Sequence, residues 1–259
     1  MNNVVAFRRS PKIEQPEQVS AIVVAGSGGA AATTTCFGLA TALRLGADVQ
    51  VAAIDGTTDG GNLLARVGVE PIDSARAVRQ LGSRMAVSSA GAVVVGHGEA
   101  TDSALVDSLL ADRSLARIHD VGTALRARRV APLIEAGAAI VVAVPPRAEP
   151  LARMRGVLDW LVGTYGRDVL SHTVVAISHQ LPQSVVDLTP IRDALSPLVA
   201  GFVEVPFDAN LARPGAVDHR HLSVATIDAW TDVLDAFGRI EAGHQDNDTA
   251  DRVGTGELA

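Results

Sequence analysis

The chain has 259 residues, with 29 acidic against 22 basic side chains and a formal net charge of −7, which argues against general nucleic-acid binding. Hydrophobic residues make up 47% and aromatics only 3%, so a large core must be built from Ala, Val, Leu and Ile, as in a buried parallel sheet flanked by helices. No apolar run reaches the ~18 residues a membrane span needs, no apolar leader core follows Arg8 and Arg9, and one cysteine, Cys36, permits no internal disulfide, so the cytoplasm is the expected compartment.

Residues 1–18 are polar and carry Pro11 and Pro16, and a flexible N-terminal arm is expected there. The first strand pattern, Ala21–Ala25, runs through a glycine-rich turn into a helical pattern over Thr34–Leu45. Further strands are expected at Val49–Ile54, Ala92–Val95, Leu115–His119, Ala139–Val144, Thr173–Ser178 and Gly201–Val205. Helical patterns fall at Thr101–Ala111, Arg128–Glu135, Glu149–Val162, Val186–Leu195 and Val224–Ile240. From residue 241 to 259 the chain is acidic and without apolar periodicity, and a disordered tail is expected. The alternation predicts a single α/β domain over residues 19–240. Its sheet should be doubly wound and mostly parallel, with helices on both faces and ligands at the carboxyl ends of the strands.

Chemistry is therefore sought just after strands. Behind the first one stands Gly26-Ser27-Gly28-Gly29-Ala30-Ala31-Ala32-Thr33-Thr34-Thr35. A glycine-rich turn between strand and helix, closing on a threonine run, has the layout of a phosphate-binding loop, whose backbone N–H groups and helix N-terminus attract an anion. The single lysine of the chain, Lys12, lies outside it, and alanine occupies position 32. The second strand ends in Asp55-Gly56-Thr57-Thr58-Asp59-Gly60-Gly61-Asn62-Leu63, and the fourth in Asp120-Val121-Gly122-Thr123. Each places a carboxylate where it can face a phosphate or Mg²⁺. Taken singly, either aspartate can equally be a cap on the turn that follows it. Cys36, on the first helix, reads as a small buried apolar residue. A dinucleotide-binding fingerprint fits the same turn less well, because Asp55 lies 29 positions after Gly26, against a usual spacing of about 20. No histidine pair has zinc-ligand spacing.

These sites in this order resemble the MinD/ParA family of deviant P-loop ATPases, whose loop reads K-G-G-x-G-K-T-T. The likeness is strongest to the actinobacterial branch associated with type VII (ESX) secretion. It covers residues 20–238 and extends to Asp187-Leu188 and to Val205-Pro206-Phe207-Asp208-Ala209-Asn210-Leu211-Ala212.

Position by position, the resemblance implies that Gly28, Gly29, Ala30, Ala31, Ala32, Thr33 and Thr34 line a phosphate cradle. Thr33 and Asp120 would serve Mg²⁺, and Asp55 would position an attacking water if the site were active. Ser178 and His179 fall beside the adenine, with Pro206 and Asp208 in the loop over the base. Ser27 stands in the slot of the lysine that reaches across a nucleotide-sandwich dimer, Ala32 replaces the lysine of the loop, and Ala31 replaces a glycine. ATP and Mg²⁺ are thus expected to bind weakly or to be dispensable. The favoured function is a non-hydrolysing regulatory or scaffolding protein of a secretion or positioning machine, with protein partners, homodimer formation open and no membrane anchor. A weak Mg²⁺-dependent ATPase is the rival, rescued by a partner or by an arginine such as Arg126, Arg128, Arg129 or Arg147. Solvated helix-face arginines are the plainer account of those four.

Overall fold

A computed structural model describes residues 20–47, 49–57, 63–73, 76–80, 82–96, 103–111, 115–184 and 186–237. The expected arm over 1–18 and the expected acidic tail over 241–259 lie outside the described residues.

The apolar runs that read as strands are strands. β1 (Ser20–Ala25), β2 (Val51–Asp55), β5 (Val93–Val95), β6 (Ala116–Gly122), β7 (Ala139–Val144), β8 (Thr173–Ser178) and β9 (Gly201–Val205) pair in parallel, in the order β5-β2-β6-β1-β7-β8-β9. Two further strands, β3 (Gly68–Ile72) and β4 (Met85–Ser88), extend the sheet beyond β5 in antiparallel pairing, giving nine strands. Neither was expected from the sequence. β3 carries Pro71 and is largely exposed, which suits an edge strand and hides it from a reading based on apolar runs.

Burial on both faces explains the composition. In β1, Ala21, Val23 and Ala25 face one layer of core while Ile22 and Val24 face the other, the two-residue alternation of a strand covered on both sides. On the first face lie α1 (Ala32–Gly46) and a helix over residues 224–237. On the second lie α5 (Ala131–Glu135), α6 (Ala148–Tyr165) and α7 (Thr189–Leu195). α2 (Leu63–Val67), α3 (Arg76–Gln80), α4 (Ser103–Ala111) and α8 (Ala209–Ala212) complete the set. Proline marks the start of two helices that were expected to begin earlier: α5 begins beside Pro132 and α7 beside Pro190, because proline has no N–H for an intrahelical bond and is accommodated in a helix's first turn.

α1 carries the site, and its seating is tight. A Cβ added at Gly38 would come within 2.0 Å of the Trp230 indole, while Phe37 meets the same ring edge-on at 6.3 Å between centroids. Glycine lets the terminal helix reach α1 directly. Gly38→Ala should therefore destabilise the fold by about 1–3 kcal/mol, the usual range for overpacking a core, read as a lower urea midpoint with unchanged slope.

Candidate functional site

Because seven strands run parallel, their carboxyl ends share one edge of the sheet, and the loops that leave them converge there. The loop after β1 is positioned first. Gly26 abuts the backbone of Arg153 on α6, and an added Cβ would lie 2.9 Å from it. Gly29 turns through φ +71° and Ala31 through φ +70°, ψ 22°. Ala31 is the only non-glycine residue with positive φ among those described, so the left-handed turn expected of the family's glycine is kept with a Cβ in place. No side chain caps the start of α1, and no acid lies in its first turn. Its first N–H groups therefore have no intrahelical acceptor and make an electropositive end.

The two aspartates lie side by side. Asp55 on β2 pairs in register with Asp120 on β6, and both are fully buried. Buried carboxylates need donors, and neighbouring residues supply them. Thr33 donates its hydroxyl to Asp120 Oδ2 at 2.5 Å, and the Gly122 N–H donates to Oδ1 at 3.2 Å. Asp55 Oδ1 accepts from the Thr57 N–H at 3.1 Å and the Thr57 hydroxyl at 2.7 Å, while Oδ2 accepts the N–H of Leu63 at 3.0 Å. Asp55 is thus a cap on the segment that follows it. Residues 58–62 of that segment lie outside the described residues. Cys36 packs behind the pair, its thiol pointing to the Ile118 carbonyl at 3.5 Å. Burial first, then the charges of Asp120 and Asp55, push that thiol well above its ordinary pKa, so it is an inert core residue.

The opposite wall comes from β8 and β9. Ser178 ends β8 and is buried, and His179 follows it, holding Glu204 Oε2 at 2.8 Å. Burial lowers the His179 pKa from its ordinary value, so the ring is neutral near pH 7. Gln180 reaches back to the loop and donates to the Gly29 carbonyl at 2.6 Å. Asp208 caps α8, accepting from the N–H of Asn210 at 2.9 Å and of Ser223 at 2.7 Å, and from the Thr226 hydroxyl at 3.1 Å. The loop after α8 is strapped across by Arg66 on α2, whose guanidinium donates to the carbonyls of Leu211, Arg213 and Gly215.

Between these walls lies a cleft of about 600 Å³, within the usual range of small-molecule sites. Gly28, Gly29, Ala30, Ala31, Ala32, Thr33, Thr34, Ser178 and Asp208 line it, as do Ser27 and His179. Pro206 sits one residue ahead of the lining Phe207, and Asp55 and Asp120 lie beneath the floor formed by Thr57 and Gly122. Sequence reasoning missed Thr57, Thr123, Gln180, Phe207 and Leu211 as lining residues. Their positions just after strands were the available signal. The size, the glycine turn and the uncapped helix suit a nucleotide with its phosphates on α1. The hydroxyl of Thr33 against the Asp120 carboxylate suits Mg²⁺, which usually takes one or two protein oxygens and completes its shell with phosphates and water. One feature does not suit phosphates: the cleft walls contain no lysine or arginine among the described residues. Of the four arginines considered as substitutes, Arg126 lies over Trp160, Arg128 is exposed, Arg129 donates to the Gly56 carbonyl at 3.0 Å, and Arg147 donates to Gln180 Oε1 at 3.1 Å.

Two stability outcomes follow from this geometry. A left-handed alanine carries roughly 1–2 kcal/mol of steric strain, partly offset by glycine's greater unfolded-state entropy. Ala31→Gly should therefore stabilise the protein, by about 0.5–1 kcal/mol on these figures, seen as a raised urea midpoint. Asp208 is held below the ordinary carboxylate pKa: burial pushes it up, but the donors at Ser223, Asn210 and Thr226 outweigh burial. A depressed folded pKa adds stability above the unfolded value of about 3.9, and that stability is lost as pH falls through the folded value. Asp208→Asn should lower the Tm at pH 7 and flatten its decline below about pH 4, measured by thermal melts across pH.

No family model matches the chain, and comparison with curated proteins finds no match. Among solved structures, the MinC:MinD cell division protein complex of Aquifex aeolicus aligns with TM-score 0.61 at 16% identity, covering 84% of this chain and 96% of that one. The Pyrococcus furiosus cell division ATPase MinD aligns with TM-score 0.58 at 15% identity over 88% of this chain and 99% of that one. A ParA family ATPase of Chlorobium tepidum gives TM-score 0.58 at 15% identity, over 74% and 85%. At these identities the likeness concerns architecture: this chain has the P-loop fold of the MinD and ParA ATPases, with the loop after β1 in place and no cation in the described walls of its cleft.

Proposed function

We propose that this protein is a non-hydrolysing member of the MinD/ParA type, close to the branch associated with type VII secretion. It acts in the cytoplasm as a regulatory or scaffolding component of a secretion or positioning system. Its cleft takes ATP weakly. Gly28 to Thr34 cradle the phosphates through backbone N–H groups, while Thr33 and Asp120 hold Mg²⁺. Ser178, Pro206 and Asp208 frame the base. When bound, Mg²⁺ supplies charge neutralisation for the phosphates. The observation that carries this reading is the absence of lysine and arginine from the described cleft walls, with alanine at position 32 and serine at position 27.

The magnitudes favour binding without turnover. Phosphoryl transfer is catalysed mainly by positioning and charge stabilisation, and losing one preorganised donor lowers a rate by about 10²–10³. Two cations are lost here. The carboxylate that would position water is also committed, since both oxygens of Asp55 accept from Thr57 and Leu63. Neutral His179 does not replace the charge. The MinC:MinD complex of Aquifex aeolicus is a precedent for a partner protein on this fold. No helix among the described residues is long and apolar enough to cross a membrane. A homodimer is also proposed, and without a lysine at position 27 its formation does not depend on ATP.

Equilibrium binding of ATP and ADP with and without Mg²⁺, beside a sensitive phosphate-release assay, tests the reading. Weak binding and no release above background are expected. Ala32→Lys should tighten ATP binding before any hydrolysis appears, because one cation assists the ground state as well as the transition state. Mg²⁺-dependent release that survives repurification and disappears in Asp55→Ala would replace this reading with that of a weak ATPase.

A further inference from the structure

The loop after β1 has a second side. Ser27 and Gly28 line the main cleft, and they also line an outer pocket of about 450 Å³ with Arg147, Glu149, Pro150 and Arg153. The wall between the two is therefore two residues of loop. The contact of Gly26 with the Arg153 backbone fixes the start of α6 against that loop, so the outer pocket keeps its register. Its two arginines differ. Arg153 is paired with Glu149 at 2.7 Å. Arg147 ends on a neutral acceptor, Gln180 Oε1, at 3.1 Å, and among the described residues no carboxylate pairs with it. Gln180 in turn donates to the Gly29 carbonyl at 2.6 Å. One amide group thus separates an exposed guanidinium from the phosphate loop. Nothing lies within 4 Å of a Cβ built at Gly28, so the surface beside the loop is open.

We propose that Arg147 is the cation of the phosphate site: leaving Gln180, it reaches over Ser27 and Gly28 to hold the terminal phosphate of a nucleoside triphosphate lying on the loop. The inference rests on reading the cleft as a nucleotide site. Arginine suits the role because its planar fork gives two parallel charge-assisted bonds to phosphate oxygens. The site thereby selects for phosphate number. Placed at the rim and not at position 32, the charge strengthens binding and leaves the transferring group without its inner cation. Gln180 parks the guanidinium beside the loop when no phosphate is there.

Calorimetric titration of the full chain with ATP, AMP and pyrophosphate, each with Mg²⁺, tests this in the parent protein, Arg147→Ala and Arg147→Lys. ATP should bind the parent more tightly than AMP or pyrophosphate. Arg147→Ala should weaken ATP about tenfold, the scale of one charged hydrogen-bonding partner, and leave AMP unchanged. Arg147→Lys should fall between the two. Equal ATP affinity in the parent and Arg147→Ala would overturn the proposal, and so would a parallel loss for ATP and AMP, which would make Arg147 only a prop for Gln180. Pyrophosphate binding as tight as ATP would overturn the assignment to a nucleoside triphosphate. If the parent binds neither ATP nor AMP, the nucleotide reading of the cleft falls together with the proposal. If it binds both equally, that reading stands and the role of Arg147 alone is lost.

Discussion

The hydrogen bond from Thr33 to Asp120 ties the first turn of α1 to the end of β6, and the rest of the site is arranged around it. β6 lies between β1 and β2 in the sheet, so this bond closes the loop after β1 over the neighbouring strand. It also settles part of an electrostatic problem. Asp55 and Asp120 are buried on adjacent strands, where unpaired polar groups are costly. Their donors include Thr33 in the first turn of α1, Thr57 in the loop after β2, Leu63 at the start of α2 and Gly122 at the end of β6. The carboxylates thus hold local backbone in place, whatever ligand arrives above them.

Within the described walls of the cleft, which carry no lysine or arginine, attraction for an anion comes from backbone. The start of α1 is uncapped and follows a left-handed Ala31, so N–H groups and the helix dipole aim at the cleft. A helix terminus contributes about 0.3–1 kcal/mol to a nearby charge at an exposed site, far less than a pair of lysines positioned for phosphoryl transfer. The loop after β1 thus offers an anion its backbone geometry, with no lysine or arginine among the described lining residues. The strained backbone at Ala31 is held by the structure around it, since such strain persists only where its surroundings impose it.

The walls are held by side chains distant in the sequence. Arg66 on α2 straps the loop over residues 211–215, and α2 itself begins at Leu63, whose N–H is bound by Asp55. Asp208 joins α8 to the start of the terminal helix through Asn210, Ser223 and Thr226, and that helix seats Trp230 on Gly38 of α1. These contacts thus join the elements around the cleft to one another.

Much of this architecture was legible in the amino-acid sequence. Most of the seven parallel strands announce themselves as Val-, Ile- and Ala-rich runs because both faces are covered, while β9, at the sheet's edge, is only partly buried. The glycine turn, Asp55 and Asp120 could be placed because parallel strands put chemistry at their carboxyl ends. β3 stayed hidden, since an exposed edge strand with Pro71 has no apolar signature, and the mostly buried β4 that pairs with it was missed as well; the early starts expected of α5 and α7 ignored proline. Local sequence determined the strands, the turn and the absence of lysine from it, because these depend on residue type and nearest neighbours. Only the tertiary structure decided that Asp55 caps its own loop, that Arg66 straps the roof, that Gly38 receives Trp230 and that Arg147 lies one amide from the phosphate loop. Those contacts join residues up to about 190 positions apart, and no pattern along a single chain encodes which distant surfaces packing will bring together.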